Sequence, residues 1–153
     1  MSGNFDHSPA QVIQNYLIDE GLAFDPADEV DWAIYHGHRP PSPDNCVTLY
    51  DVAGTIDGRV MVGGEVQEHA GIQIAVRSDN VADAYLKCKN ILINFDSEVN
   101  RTLVVIGSIT YRIQSISRTT DVINAGREAD SGCHLSTANA IVSLRQLPGT
   151  GSY

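Results

Sequence analysis

The sequence predicts an α+β domain: one mostly antiparallel or mixed β-sheet, two α-helices packed on one of its faces, and a protruding glycine-rich β-hairpin. Three observations lead there. Between Gly71 and Phe95 an apolar period of two gives way to spacings of three and four, so a strand feeds into a helix. A second amphipathic helix pattern lies near the start of the chain. Alternating runs of strand length occupy much of the remainder. A strand followed by a helix that folds back over it is the smallest unit that hides both apolar faces, and the other segments complete that pair of layers.

Ser8-Pro9 opens the first helix, with a hydroxyl at the N-cap and proline where its missing amide costs nothing; Gly21 closes it. Val12, Ile13, Tyr16 and Leu17 form its apolar stripe, which places it beside the second helix on the same sheet face. Leu22 to Asp31, with four acidic residues and Pro26, is expected to be an exposed loop. Trp32 to His36 is a short strand with Trp32 and Ile34 on one face. Arg39-Pro40-Pro41-Ser42-Pro43-Asp44-Asn45 is then a stiff, extended connector. Cys46 to Val52 alternates as a strand. Gly54 to Gly64 holds four glycines around Asp57-Gly58, a favoured tight-turn dipeptide, and suggests a hairpin arm that extends from the strand Glu65 to Arg77.

Ile72, Ile74 and Val76 alternate with Gln73 and Arg77, as in a half-buried strand. Asn80, or Asp79 just before it, can cap the helix that follows, whose stripe is Val81, Ala84, Tyr85, Cys88, Ile91, Leu92 and Phe95. Asp83 and Lys87 are spaced for an i,i+4 pair. Arg101 to Ile106 and Ile109 to Ser117 form a hairpin about Gly107-Ser108, and Asp121 to Gly132 is expected to be loop. His134 to Leu147 alternates with an apparent change of face, for which a bulge near Asn139-Ala140 would account.

A chain of 153 residues, 42% hydrophobic, has the size of one domain. The expected division is a single domain over 1–147 and a flexible tail over 148–153. No run approaches the roughly 20 apolar residues of a membrane span, and Met1 to His7 lacks the charged and apolar parts of a signal peptide, so the expectation is synthesis in the cytosol without membrane contact. Cys46, Cys88 and Cys133 lie inside apolar patterns without C-x-x-C spacing, as buried free thiols do. A net charge of −9 with only ten Lys and Arg argues against gripping nucleic acid through its phosphates, and is compatible with a wall that repels DNA.

The residues offer no chemistry. No G-x-S-x-G marks a nucleophile elbow, His36-Gly37-His38 lacks further ligands at metal-binding spacing, and the glycine-rich stretch lacks the G-K-[ST] of a phosphate loop. No catalytic residue, metal or cofactor is expected.

Four runs together resemble the minor capsid or tail-terminator proteins of long-tailed bacteriophages. They are Ser8-Pro9-Ala10-Gln11-Val12-Ile13, then Pro41-Ser42-Pro43-Asp44-Asn45-Cys46-Val47-Thr48-Leu49-Tyr50-Asp51, then Gly71-Ile72-Gln73-Ile74-Ala75-Val76-Arg77, and finally Ala140-Ile141-Val142-Ser143-Leu144-Arg145-Gln146-Leu147. The acidic early loop and the glycine-ended tail depart from the family pattern. The resemblance implies a non-enzymatic virion protein, assembled in the host cytoplasm and placed at the head-proximal end of the tail. There it would form a sixfold homo-oligomeric ring on the last ring of tail tube protein, stop tube growth and face the head-tail connector or neck protein, while DNA passes the lumen without specific binding. The residues expected to meet neighbours are Pro40, Pro41 and Pro43 of the connector, Asp57, Gly58, Arg59, Gly63 and Gly64 of the glycine-rich hairpin, and Arg127. A neck or head-completion protein is the alternative within the class, and a cytosolic small-ligand-binding domain the alternative outside it.

Overall fold

The computed structural model describes residues 7–25, 32–38, 44–59, 66–99, 101–127 and 132–147, with only the backbone course described for 53–59, 66–68 and 98. The elements are α1 (Pro9–Asp19), β1 (Ala33–His36), β2 (Cys46–Arg59), β3 (Val66–Ser78), α2 (Val81–Glu98), β4 (Thr102–Ile106), β5 (Ile109–Arg118), β6 (Ile123–Arg127) and β7 (His134–Gln146). They form one mixed sheet in the order β1-β2-β3-β7-β5-β4, in which only β1 and β2 run parallel. The expected α+β class, with two helices and a mixed sheet, is what the chain adopts.

The sheet is organised about β7. One of its edges pairs with β3 throughout, from Gln67↔Arg145 to Ser78↔His134. The other is shared end to end by β5, from Tyr111↔Gln146 to Arg118↔Ala140, and by β6, from Ile123↔Thr137 to Arg127↔His134. At the junction, the Thr119 amide donates to the Asn139 carbonyl at 2.9 Å and the Asn139 amide donates to Thr120 Oγ1 at 2.9 Å. β5 and β6 are therefore one strand broken at Thr119–Val122 and held at the break by Asn139. The expectation of loop from Asp121 to Gly132 is corrected over Ile123–Arg127, where pairing with β7 makes a strand of five exposed residues.

Along β7 the buried positions are Ser136, Ala138, Ala140, Val142 and Leu144 without interruption, and the ladder to β3 holds its register past Asn139-Ala140. The bulge expected there is absent. Its apparent signal arose because the core-facing residues of the first half are small, which is what α2 lying on β3, β7 and β5 requires. The irregularity falls on β5 instead, between Ile113 and Ser115.

Both helices cover the same face. α1 touches β1 and β2 near one end of the strand order and β4 at the other, so the sheet curls around it. Tyr16 of α1 meets Phe95 of α2 with ring centroids 6.3 Å apart, and its hydroxyl donates to Asn94 Oδ1 at 2.5 Å. The core between helices and sheet includes Val12, Ile13, Leu17, Leu49, Ile72, Ile74, Ile91, Leu92, Tyr111 and Val142. The opposite face of the sheet is also covered near β2 and β3: Cys46, Thr48, Ala75 and Arg77 are buried, and Arg77 Nε donates to the Asp44 carbonyl at 3.3 Å. β3 is thus buried on both faces there, where the sequence suggested one polar face.

α2 is capped by Asn80, whose side chain accepts from the amides of Ala82 and Asp83 at 2.8 and 3.2 Å. Its buried stripe is Ala84, Cys88, Ile91, Leu92 and Phe95, whereas Val81 and Tyr85, expected in that stripe, are exposed. Trp32 precedes β1 rather than belonging to it. Its φ of 66° is a left-handed value that a side chain disfavours, and it is held there by donation to the Asn45 carbonyl at 2.9 Å and acceptance from the Phe24 amide at 3.1 Å.

Candidate functional surfaces

Among the described residues no cluster of three or more His, Cys, Asp or Glu is placed to hold a metal ion, and no helix is long and apolar enough to cross a membrane. His36 Nδ1 lies 2.7 Å from Gln14 Oε1, and Gln14 Nε2 donates to the Ile34 carbonyl at 2.7 Å, so this histidine helps fasten α1 to β1. The surfaces that stand out are apolar and exposed.

On α2, Leu86 and Ile93 are 57% and 50% exposed. Seven residues apart, they stand within about 20° of one another around the axis and on the side opposite Ala84, Cys88, Ile91 and Phe95. Asp83 and Asn90 flank them. The i,i+4 pairing expected of Asp83 does not form, because Lys87 turns to Trp32 and rests its ammonium 5.4 Å from the ring centroid. Burial pushes the Lys87 ammonium below its ordinary pKa. Trp32, Asn45, Asp83, Leu86, Lys87 and Asn90 line an open cleft of about 390 Å³ that is continuous with this helix face.

The other side of α2 is clamped to the broken strand. Lys89 Nζ lies 2.9 Å from Asp121 Oδ1, and Arg118 reaches Asp96 at 2.8 Å and Asp121 at 3.7 Å. The hydrogen bond from Lys89, followed by one from the Val122 amide, holds the Asp121 carboxyl below its ordinary pKa.

β4 ends the strand order, and its apolar run Thr102–Ile106 places Val104 in the core while Leu103 and Val105 stand 54% and 59% exposed on the other face. An edge strand that is apolar on both faces calls for a cover. Beside it, Leu103 pairs with Arg112, which pairs in turn with Arg145 on β7.

The residues expected to meet neighbours are distributed as follows. Pro40, Pro41, Pro43, Gly63 and Gly64 lie outside the described residues. Asp57 and Gly58 do not form the tight turn expected of them: β2 runs through both to Arg59, which pairs with Val66, and the ladder slips register between Ile56 and Arg59. A glycine dipeptide in a strand marks an irregularity as readily as a turn. Arg127 is exposed at the end of β6, where its Nε donates to the Gly132 carbonyl at 3.0 Å and ties the strand to the start of β7. Sequence reasoning passed over Leu86, Ile93, Leu103 and Val105. An apolar pair at heptad spacing on an otherwise polar helix face, and five strand residues without alternation, were the available signals.

Comparison with curated protein sequences finds no match. A family model described as bacteriophage tail terminator protein matches residues 16–122, from the middle of α1 to the break between β5 and β6. That span is more than half of the chain and includes α2 and β4. The chain belongs to the bacteriophage tail terminator protein family.

Proposed function

We propose that this protein caps the tail tube as a closed ring of identical copies, six in number. The ring ends tube polymerisation and offers its far side to the connector or neck of the head. It acts through protein contacts alone, without catalysis or cofactor, at the head-proximal end of the virion tail. The family match over residues 16–122 carries this reading. The exposed apolar residues of α2 and β4 support it, because a subunit that works only between copies leaves such surfaces for its neighbours. The excess of acidic residues suits a lumen through which DNA passes, since phosphates held by the wall would each have to be released during ejection.

The arms expected of this subunit, the proline connector with Pro40, Pro41 and Pro43 and the hairpin that β2 and β3 enter, are assigned to subunit and tube contacts. Electron microscopy of particles assembled without the protein tests the role. Tails of uncontrolled, excessive length are the expected result. Tails of normal length beside heads that leak DNA would overturn it in favour of a head-completion role.

A further inference from the structure

The two exposed apolar surfaces differ in charge and lie on opposite sides of the molecule. Leu86 and Ile93 point away from the sheet on the outer side of the helical layer. Asp83, three residues before Leu86, and Asp79 just outside the helix make no ion pair among the described residues. Leu103 and Val105 point away from the helices on the outer face of the sheet. Arg112 stands in register beside Leu103 and likewise makes no ion pair among the described residues.

We infer that the outward face of α2 in one copy docks on the outer face of β4 and β5 in the next, with Leu86 and Ile93 against Leu103 and Val105 and Asp83 near Arg112. The occupant is a second copy of this chain because each surface supplies what the other lacks. Pairing the β4 surface with itself would bring Arg112 against Arg112, whereas pairing it with the α2 surface brings Arg112 to Asp83. Leu86 and Ile93 are separated by about 10 Å along the helix axis and Leu103 and Val105 by about 7 Å along the strand, so the two pairs can overlap without meeting residue for residue. A helix about 10 Å wide spans two strands spaced about 4.8 Å apart. Because the two surfaces are distinct and on opposite sides, the contact is heterologous, and repeating it closes a ring when the rotation per copy fits. The inference rests on the ring reading and specifies the contact that builds it.

The test uses the purified full chain, followed by sedimentation velocity alone and with tail tubes. Asp83→Arg and Arg112→Asp are each expected to weaken self-association at least tenfold. The double reversal is expected to recover most of it, with circular dichroism confirming that all three variants fold. Chains carrying Leu86→Cys and chains carrying Leu103→Cys are then treated with a short bis-maleimide. Cys46, Cys88 and Cys133 are buried, so the background is low. Cross-linked dimers are expected in the mixture and not in either variant alone. Dimers of Leu86→Cys alone would place α2 against α2 and overturn the assignment. Absence of cross-links in an assembled ring would do the same and leave the surface to a tube subunit. If the wild-type chain assembles while both charge reversals assemble equally tightly, this contact is wrong and the ring stands. If the wild-type chain stays at the mass of one copy under every condition, the ring reading falls and this contact falls with it.

Discussion

The start of α1 offers a quantitative test of how distant parts of the chain hold each other. Pro9 at the first helical position has no amide, and the next three amides each have a partner. Ala10 donates to Asp51 Oδ1 at 2.9 Å, Gln11 to Ser8 Oγ at 3.2 Å and Val12 to the Ser8 carbonyl at 3.1 Å. The first turn contains no acidic residue, so Asp51, reaching over from β2, supplies the negative charge that the helix N-terminus favours. Ser8→Ala should cost about 1 kcal/mol, the usual loss at an N-cap. Asp51→Ala loses an acceptor and a charge, and because Asp51 is exposed the cost is about 1 kcal/mol rather than the upper end of such ranges. Asp51→Asn keeps an acceptor and should lose only about 0.3–0.5 kcal/mol. For a chain of this size each kcal/mol lowers the thermal midpoint by about 2–4 °C. Adjacent amides of one turn share their fate, so the double variant should depart from additivity. Thermal denaturation followed by far-UV circular dichroism reads all four. An Asp51→Asn variant as stable as wild type would refute the role given to charge, one as damaged as Asp51→Ala would refute the share given to the hydrogen bond, and an Asp51→Ala variant as stable as wild type would refute the contact.

Three further outcomes are expected. Ala138→Leu, directly beneath α2, should overpack the core and cost about 1–3 kcal/mol in chemical denaturation, while Thr137→Ile on the opposite face of β7 should change stability by less than about 0.5 kcal/mol. Burial pushes the Cys88 thiol from an ordinary 9.0 up to about 12, so it should resist alkylation at pH 8 until the protein unfolds. Since the folded state keeps that proton longer than the unfolded chain, its contribution to stability is intact below pH 9 and declines between about pH 9 and 12, at about 1.4 kcal/mol per unit. Asp121 is shifted the opposite way. Its contribution to the clamp on α2 is present above the ordinary 3.8 and fades as acid brings the pH down through the lowered value, and an NMR titration should show its midpoint returning toward 3.8 in Lys89→Met.

Where the local pattern and the fold agreed, the sequence was legible. Ser8-Pro9 and Asn80 begin helices because their side chains satisfy free amides, a requirement visible without tertiary structure. The β4–β5 hairpin and the alternation of β3 were likewise plain. The losses came where distant partners decide. β6 is short, exposed at every position and contains Gly126 at φ 94°, and only the free edge of β7 makes it a strand. Small residues at Ser136, Ala138 and Ala140 read as a change of face until α2 is seen lying over them. Asp57-Gly58 carried a turn signal that the continuing ladder of β2 and β3 overrides. The exposed apolar surfaces were the least legible part. Leu86 and Leu103 look like ordinary members of their elements until burial separates the apolar residues that are covered from those that are not.

Tail-tube length in a reconstituted reaction bears most directly on the central claim that this chain ends a tube by closing a ring on it. Purified protein added to polymerising tail-tube subunits should halt elongation and leave tubes that carry one ring at an end and stay shorter as more protein is supplied. Tubes that keep lengthening at an unchanged rate in its presence would contradict the claim.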